Sequence, residues 1–262
     1  MEKKNPFHLV SSKKSRFILP SLLTIIGVCL GISSIKFALD QNYNLAVIFL
    51  VCAGIIDTLD GRIARLIKGT SEFGKELDSL TDFVSFGIAP AFILYFWELK
   101  NYGKIGWAIT LIFSVCCVLR LARFNLTKTS EDAEWKLHFF EGIPSPAGAG
   151  LILLPLIYEL SNLELNFDVK IITPYLVVFV AFLLISKIPT FSLKKIKVSS
   201  QLTIFLLFGI IIIFIFLIFF TFESLLVVGI TYLLSIPISY YSYKQTLKKA
   251  HNILEEDHED IL

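Results

Sequence analysis

The chain has 262 residues, of which 55% are apolar, 14% aromatic and only 18% charged, and its mean hydropathy is +0.72. A soluble domain carries nearer a quarter of charged residues, so a water-soluble fold is excluded, and a net charge of +2 is too small to draw the protein to nucleic acid. Apolar residues gather in runs such as 202–222, which carries no charge and exceeds the roughly 20 helical residues that cross a bilayer. Backbone groups in lipid must pair within their own element, so these runs are predicted to be helices. The alternating segments of about 10 residues that a barrel requires are absent.

Taken in order, residues 1–16 form a basic, polar segment. The apolar run after it is too long for a signal-peptide core and reads as the first span. Eight spans are predicted, at 17–39, 45–63, 78–98, 104–122, 146–161, 171–188, 201–220 and 223–243, with the fifth rich in Gly and Pro. The fold class is therefore an all-α polytopic bundle. Between the fourth and fifth spans, 126–141 reads as a polar loop. From Lys244 onward the chain is charged and reads as a solvated helical tail. Cys29, Cys52, Cys116 and Cys117 all lie in apolar runs, without disulfide or zinc spacing.

Basic residues orient the bundle. With the N-terminus in the cytosol, the inside segments hold 20 of the 24 Lys and Arg residues; Lys36, Lys100, Lys104 and Lys170 remain outside. Each inside segment is richer in basic residues than its outside neighbours, and a missing span would invert every later segment. Both termini are expected in the cytosol.

Two adjacent spans meet at the cytosolic side through the stretch Asp57-Thr-Leu-Asp60-Gly61-Arg-Ile-Ala64-Arg65 and Gly74-Lys-Glu-Leu-Asp78-Ser-Leu-Thr-Asp82. Spacings of three and four put each pair of carboxylates on one helix face, so the four acids can converge near the membrane surface. Such acids repel unless protonated or neutralised by a cation. Oxygen donors without His or Cys suit Mg²⁺ or Mn²⁺, and two such ions form a clamp for displacement at phosphorus. Gly61 and Ala64 remove bulk where a nucleotide can approach the helix, and Arg65 can meet a phosphate bidentately. Singly, these residues also read as a helix end, packing positions or positive-inside anchors. Four carboxylates in or at the ends of membrane helices mark function.

The stretch resembles the CDP-alcohol phosphotransferase signature D-x2-D-G-x2-A-R-x8-G-x3-D-x3-D, matched without a gap at Asp57, Asp60, Gly61, Ala64, Arg65, Gly74, Asp78 and Asp82. The resemblance implies six core helices, a binuclear site of two divalent cations held by the four aspartates, a homodimer, and Asp82 as the base that deprotonates an attacking alcohol while CMP leaves. The segments Asp82-Phe-Val-Ser85-Phe-Gly87-Ile-Ala-Pro90, Arg120-Leu-Ala-Arg123-Phe-Asn125, Phe140-Glu-Gly142-Ile-Pro144-Ser-Pro146 and Ile185-Ser186-Lys187 are similar to bacterial and archaeal phosphatidylserine synthases, which implies CDP-diacylglycerol and L-serine as substrates. That resemblance divides the chain into a segment 1–16, a catalytic core 17–200, two further helices 201–243 and a tail 244–262. The subfamily's first span usually begins Pro-Asn-x2-Thr; here Pro20-Ser21-Leu-Leu-Thr24 keeps Thr24 but puts Ser21 where Asn stands. Both are candidate nucleotide contacts, and Ser21 reads equally as a helix cap. Arg120, Arg123 and Lys187 are candidates for the serine carboxylate or for snorkelling anchors. Arg123 and Asn125 alternatively serve the lipid phosphate or support the aspartates, and Ser85 is a further candidate contact. Competing readings are the same transfer to glycerol 3-phosphate, inositol phosphate or choline, a cation transporter, and a silent scaffold.

Overall fold

The computed structural model describes residues 15–67, 71–127, 139–161, 163, 168–191, 209 and 215–259. Helix α1 (Ser15–Leu39) leads through a tight turn into α2 (Tyr43–Leu66). Gln41 supplies the left-handed residue of that turn at φ 59°, and the Asn42 side chain caps α2 at the Leu45 amide. Ser71 caps α3 (Glu72–Asp82), which passes through one wide π-type segment (Phe83–Ile88) into α4 (Ala89–Trp97). A 3₁₀ turn (Leu99–Tyr102) precedes α5 (Gly103–Thr127). Then come β1 (Phe139–Glu141), α6 (Ser145–Ile152), α7 (Leu154–Leu160), α8 (Val169–Ile185), β2 (Pro189–Phe191) and α9 (Thr221–Glu259).

Five helical stretches among the described residues are long and apolar enough to cross a membrane: Leu19–Leu39, Tyr43–Leu66, Glu72–Trp97, Leu99–Leu126 and Thr221–Thr246. The protein is an all-α integral membrane protein of at least that many helices. Helix α5 shows why. Its inward face (Ile109, Phe113, Cys116, Cys117, Arg120, Leu121) is buried, while its outward face (Leu111, Ile112, Val115, Val118, Leu119) is exposed and equally apolar. A helix that is apolar all round while one face stays uncovered is built for lipid.

Where eight spans are predicted, two differ from expectation and one lies mostly outside the described residues, that at 201–220. The expected fifth span is two short helices. Pro155 has no amide to continue the ladder, so α6 ends at Ile152 with Leu153 as its cap and α7 starts anew, both largely buried. The expected sixth is α8, only 17 residues long. The charged tail continues α9 as far as Glu259.

The π segment has a similar cause. Pro90 cannot donate, and its ring crowds the preceding turn. Widening that turn relieves the crowding, Ala89 bonds back to the Val84 carbonyl, and Ser114 Oγ donates to the Gly87 carbonyl at 3.3 Å. Ser85 thereby turns toward α1, where Gly31 admits it: a Cβ on Gly31 would stand 2.6 Å from Ser85 Oγ and 3.1 Å from its Cα.

Each end of the bundle is tied differently. At one, Tyr43 donates to the Phe96 carbonyl at 3.1 Å, and Lys170 pairs with Glu159 at 3.2 Å while lying over the Trp97 ring. At the other, the end of the expected 126–141 loop forms a strand, and β1 pairs antiparallel with β2 (Phe140 opposite Thr190). Gly142 leaves this ribbon at φ 73°. Its amide donates to the Ile188 carbonyl at 2.9 Å, and its carbonyl accepts from Thr190 Oγ1 at 2.8 Å. A Cβ there would come within 2.8 Å of the Ser186 carbonyl. Gly142→Ala therefore incurs about 1–2 kcal/mol for the left-handed backbone plus a backbone clash. A lowered thermal-unfolding midpoint in detergent is the expected result.

Candidate active site

Asp57 and Asp60 lie in the last turns of α2 and Asp78 in α3, the next helix. One carboxylate oxygen from each falls within 4.8 Å of the other two. Asp82, one turn beyond Asp78, reaches the Asp57 carboxylate and leaves Oδ1 buried without a hydrogen-bond partner. The convergence expected from helical spacing is present. Three of the acids form the tight group, and the fourth stands beside it.

The neighbouring side chains hold this group rather than neutralise it. Thr24, buried in α1, donates from Oγ1 to Asp60 Oδ2 at 2.7 Å; Asp60 is itself 3% exposed. Ser21 lies three residues earlier, half-buried. Because α1 begins at Ser15, Ser21 is a helix-interior residue and not the cap. Gly61 is likewise interior to α2, which ends at Leu66, so Asp60-Gly61 is not a helix end. Nor is it a packing position: a Cβ on Gly61 would meet nothing within 4 Å. Ala64 is half-buried and Arg65 exposed, and Arg65 Nε donates back to the Gly61 carbonyl at 3.0 Å. Gly74 gives its amide to Ser71 Oγ at 3.0 Å, so its donor is committed to the start of α3.

The basic candidates separate. Arg120 is buried at 8% exposure, faces Asp82, donates from Nη1 to Ser145 Oγ at 2.8 Å, and lies over Phe124. Its Nε has no partner. Arg123 instead donates to the Ile185 and Ser186 carbonyls at 2.6 and 3.2 Å. Its guanidinium closes the C-terminal end of α8, where carbonyls lack helical donors. Asn125 donates to Ser79 Oγ at 2.9 Å, tying α5 to α3 beside Asp78, and Lys187 is exposed just past α8. Ser85 is 1% exposed and packs against Gly31 of α1.

Sequence reasoning missed the polar company of Arg120. Ser145 accepts from it, the Cys117 thiol lies next to Ser145, and Tyr232, with Thr190 beside it, is a further neighbour. Ser145 sits inside a quoted motif and could have been found; Tyr232 lies in an apolar span without a motif and could not.

A cluster of carboxylate oxygens without nitrogen or sulfur donors fits a hard divalent cation. At one end of a membrane bundle, it defines an integral membrane protein with an acidic cluster able to hold a divalent cation. Residues 17–184 match the family model described as CDP-alcohol phosphatidyltransferase, and the chain belongs to that family. It is 36% identical over 191 residues to a CDP-diacylglycerol–serine O-phosphatidyltransferase of Helicobacter pylori, covering 73% of this chain and 79% of that one. It is 44% identical over 144 residues to the protein of that name from Mycobacterium leprae (53% of this chain, 48% of that one). It is also 35% identical over 149 residues to an archaetidylserine synthase of Methanothermobacter thermautotrophicus (54% and 59%). The chain spans about half the length of the mycobacterial relatives that it matches.

Thr24→Val removes the hydrogen bond to Asp60 at constant shape. Outer partners of metal ligands are worth about 10- to 100-fold in affinity, so Mn²⁺ affinity, followed by electron paramagnetic resonance, is expected to fall at least tenfold while the protein stays folded.

Proposed function

We propose that the chain is a phosphatidylserine synthase, transferring the phosphatidyl group of CDP-diacylglycerol to L-serine. The observation that carries this reading is the Asp57–Asp60–Asp78 cluster beneath the uncovered Gly61 face. The similarity to serine O-phosphatidyltransferases selects serine.

Asp57, Asp60, Asp78 and Asp82 hold two divalent cations, Mg²⁺ or Mn²⁺, which when bound supply charge neutralisation for the donor's diphosphate. Gly61 and Ala64 let the cytidine nucleotide lie against α2. Arg65, on swinging from the Gly61 carbonyl, meets a phosphate, and Ser21 and Thr24 line the nucleotide from α1. Gly74 serves by letting Ser71 start α3 at the right height. Arg120 receives the serine carboxylate, while Arg123 and Asn125 fix the helices around it. Asp82 takes the proton from the serine hydroxyl. The serine oxygen bonds to the β-phosphorus as the bond from that phosphorus to the bridging oxygen breaks, and CMP leaves with the electron pair.

The same reading extends to the membrane. Helices α1, α2, α3–α4, α5, α6–α7 and α8 make the six-helix core and α9 adds a further crossing, with the aspartates on the cytosolic side that the basic residues favour. An almost wholly apolar cavity of about 280 Å³ between α2, α6 and α9 suits a donor acyl chain. The enzyme works as a homodimer.

The test is CMP release by purified protein with Mn²⁺, CDP-diacylglycerol and a panel of alcohols. Release with L-serine is expected; release only with glycerol 3-phosphate, inositol phosphate or choline removes the serine assignment. Asp82→Asn is expected to lower turnover about 100- to 10,000-fold while Mn²⁺ still binds at the other three aspartates. Full activity would take Asp82 out of the base role. Gly61→Ala has opposed effects: the helix gains up to about 1 kcal/mol, whereas kcat/KM for the CDP-lipid falls. Unchanged kcat/KM would remove the nucleotide from this face.

A further inference from the structure

Helix α9 lies beyond the family-matched residues 17–184, yet it delivers a phenol to the polar space beside the aspartates. Tyr232 OH is buried and has no hydrogen-bond partner. Thr190 of β2 stands next to it; its proton goes to the Gly142 carbonyl at 2.8 Å, so Oγ1 is left only as an acceptor, and the phenol makes no hydrogen bond of proper geometry to it. Tyr232 also faces Arg120. That residue is more than nine-tenths buried and leaves Nε unpaired. Asp82 Oδ1, likewise buried and unpaired, also lies near Arg120.

Native interiors rarely leave such groups unpaired, and those that do call for an absent partner. Two of the three, Arg120 Nε–H and Tyr232 O–H, are donors, and one carries a full positive charge that no described acid pairs with by a salt bridge. Two neighbouring donors with a buried charge ask for a small oxyanion, and the charged hydrogen bonds they would make are the strong ones. The third group is the acid proposed above to take the alcohol proton.

We propose that Tyr232 of α9 is a specificity-determining residue for the acceptor alcohol, donating to the same carboxylate that Arg120 binds, so that an alcohol bearing a carboxylate is held with its hydroxyl toward Asp82. This rests on the serine reading above. The oxyanion could also belong to the donor lipid's phosphate, since Tyr232 lines the apolar cavity between α2, α6 and α9. The cation cluster already serves the donor phosphates, which leaves the carboxylate for Arg120 and Tyr232.

Tyr232→Phe in the full chain, purified in detergent, tests the assignment. It deletes one oxygen that has no partner and keeps the ring in the cavity wall, so the unfolding midpoint should hold or rise. Loss of a hydrogen bond to a charged group should raise KM for L-serine about tenfold or more, with kcat and KM for CDP-diacylglycerol within about twofold, the pattern of lost uniform binding. An unchanged KM for serine overturns the proposal. A rise in KM for CDP-diacylglycerol alone overturns it too and gives Tyr232 to the donor, and a lowered midpoint reduces the phenol to a structural part. The unaltered protein is run alongside: if it releases no CMP with serine, the serine reading fails first and takes this assignment with it. If it does, any negative result belongs to Tyr232 alone.

Discussion

Negative charge concentrated at one end of a membrane bundle is the constraint that orders the rest of the molecule. Three carboxylate oxygens within 4.8 Å of one another, with Asp82 against Asp57, would separate if their helices were free to slide. The surroundings prevent it. Thr24 fixes Asp60 from α1, Ser71 sets where α3 begins, and Asn125 ties α5 to α3 through Ser79. The π segment directly after Asp82 holds the end of α3 against Gly31. None of these groups carries a positive charge, so they position the acids and leave neutralisation to a ligand. A site that kept its own counter-ions would have little affinity left for a cation.

Helix packing in lipid lacks the hydrophobic drive that works in water, so polar ties and close approaches of small residues bear more of the task. This protein uses both, at separate ends. Tyr43, Glu159, Lys170 and Trp97 lock the end away from the aspartates, while Arg123, Gly142 and Thr190 knit α5, α8, β1 and β2 at the end near them. Helices fixed at both ends cannot change height. That is what converging carboxylates on different helices demand.

The aspartates were legible because helical spacing is a local rule: residues three or four apart share a face whatever surrounds them. Gly61 was legible for the same reason, and its empty surroundings distinguish ligand approach from packing, which spacing could not. Span lengths were less so. Pro155 and Pro90 each break or widen a helix, and whether a proline does so depends on what can satisfy the freed carbonyls. The β1–β2 ribbon was hidden because each strand is three residues long and its partner lies some fifty residues away. The close approach of Ser85 to Gly31 of α1 was hidden because it depends on the π segment, which spacing does not announce.

Arg120 and Arg123 show where sequence reasoning must stop. They are the same residue type, one turn apart on α5, in one motif. Their fates diverge because α8 happens to end beside Arg123 and offers it bare carbonyls, whereas Arg120 points into an enclosed space with one hydroxyl to bind. A guanidinium that is buried with an unpaired Nε keeps most of its desolvation cost unrelieved until an anion arrives. The polar neighbours of Arg120, Ser145 of α6 and Tyr232 of α9, belong to elements that follow the aspartate motif in the chain, so under the proposed reading the cation site and the acceptor site come from different stretches of sequence. On that reading, changes in the later stretches would alter which alcohol is accepted without disturbing the aspartates, and a motif confined to α2 and α3 would be silent about the acceptor.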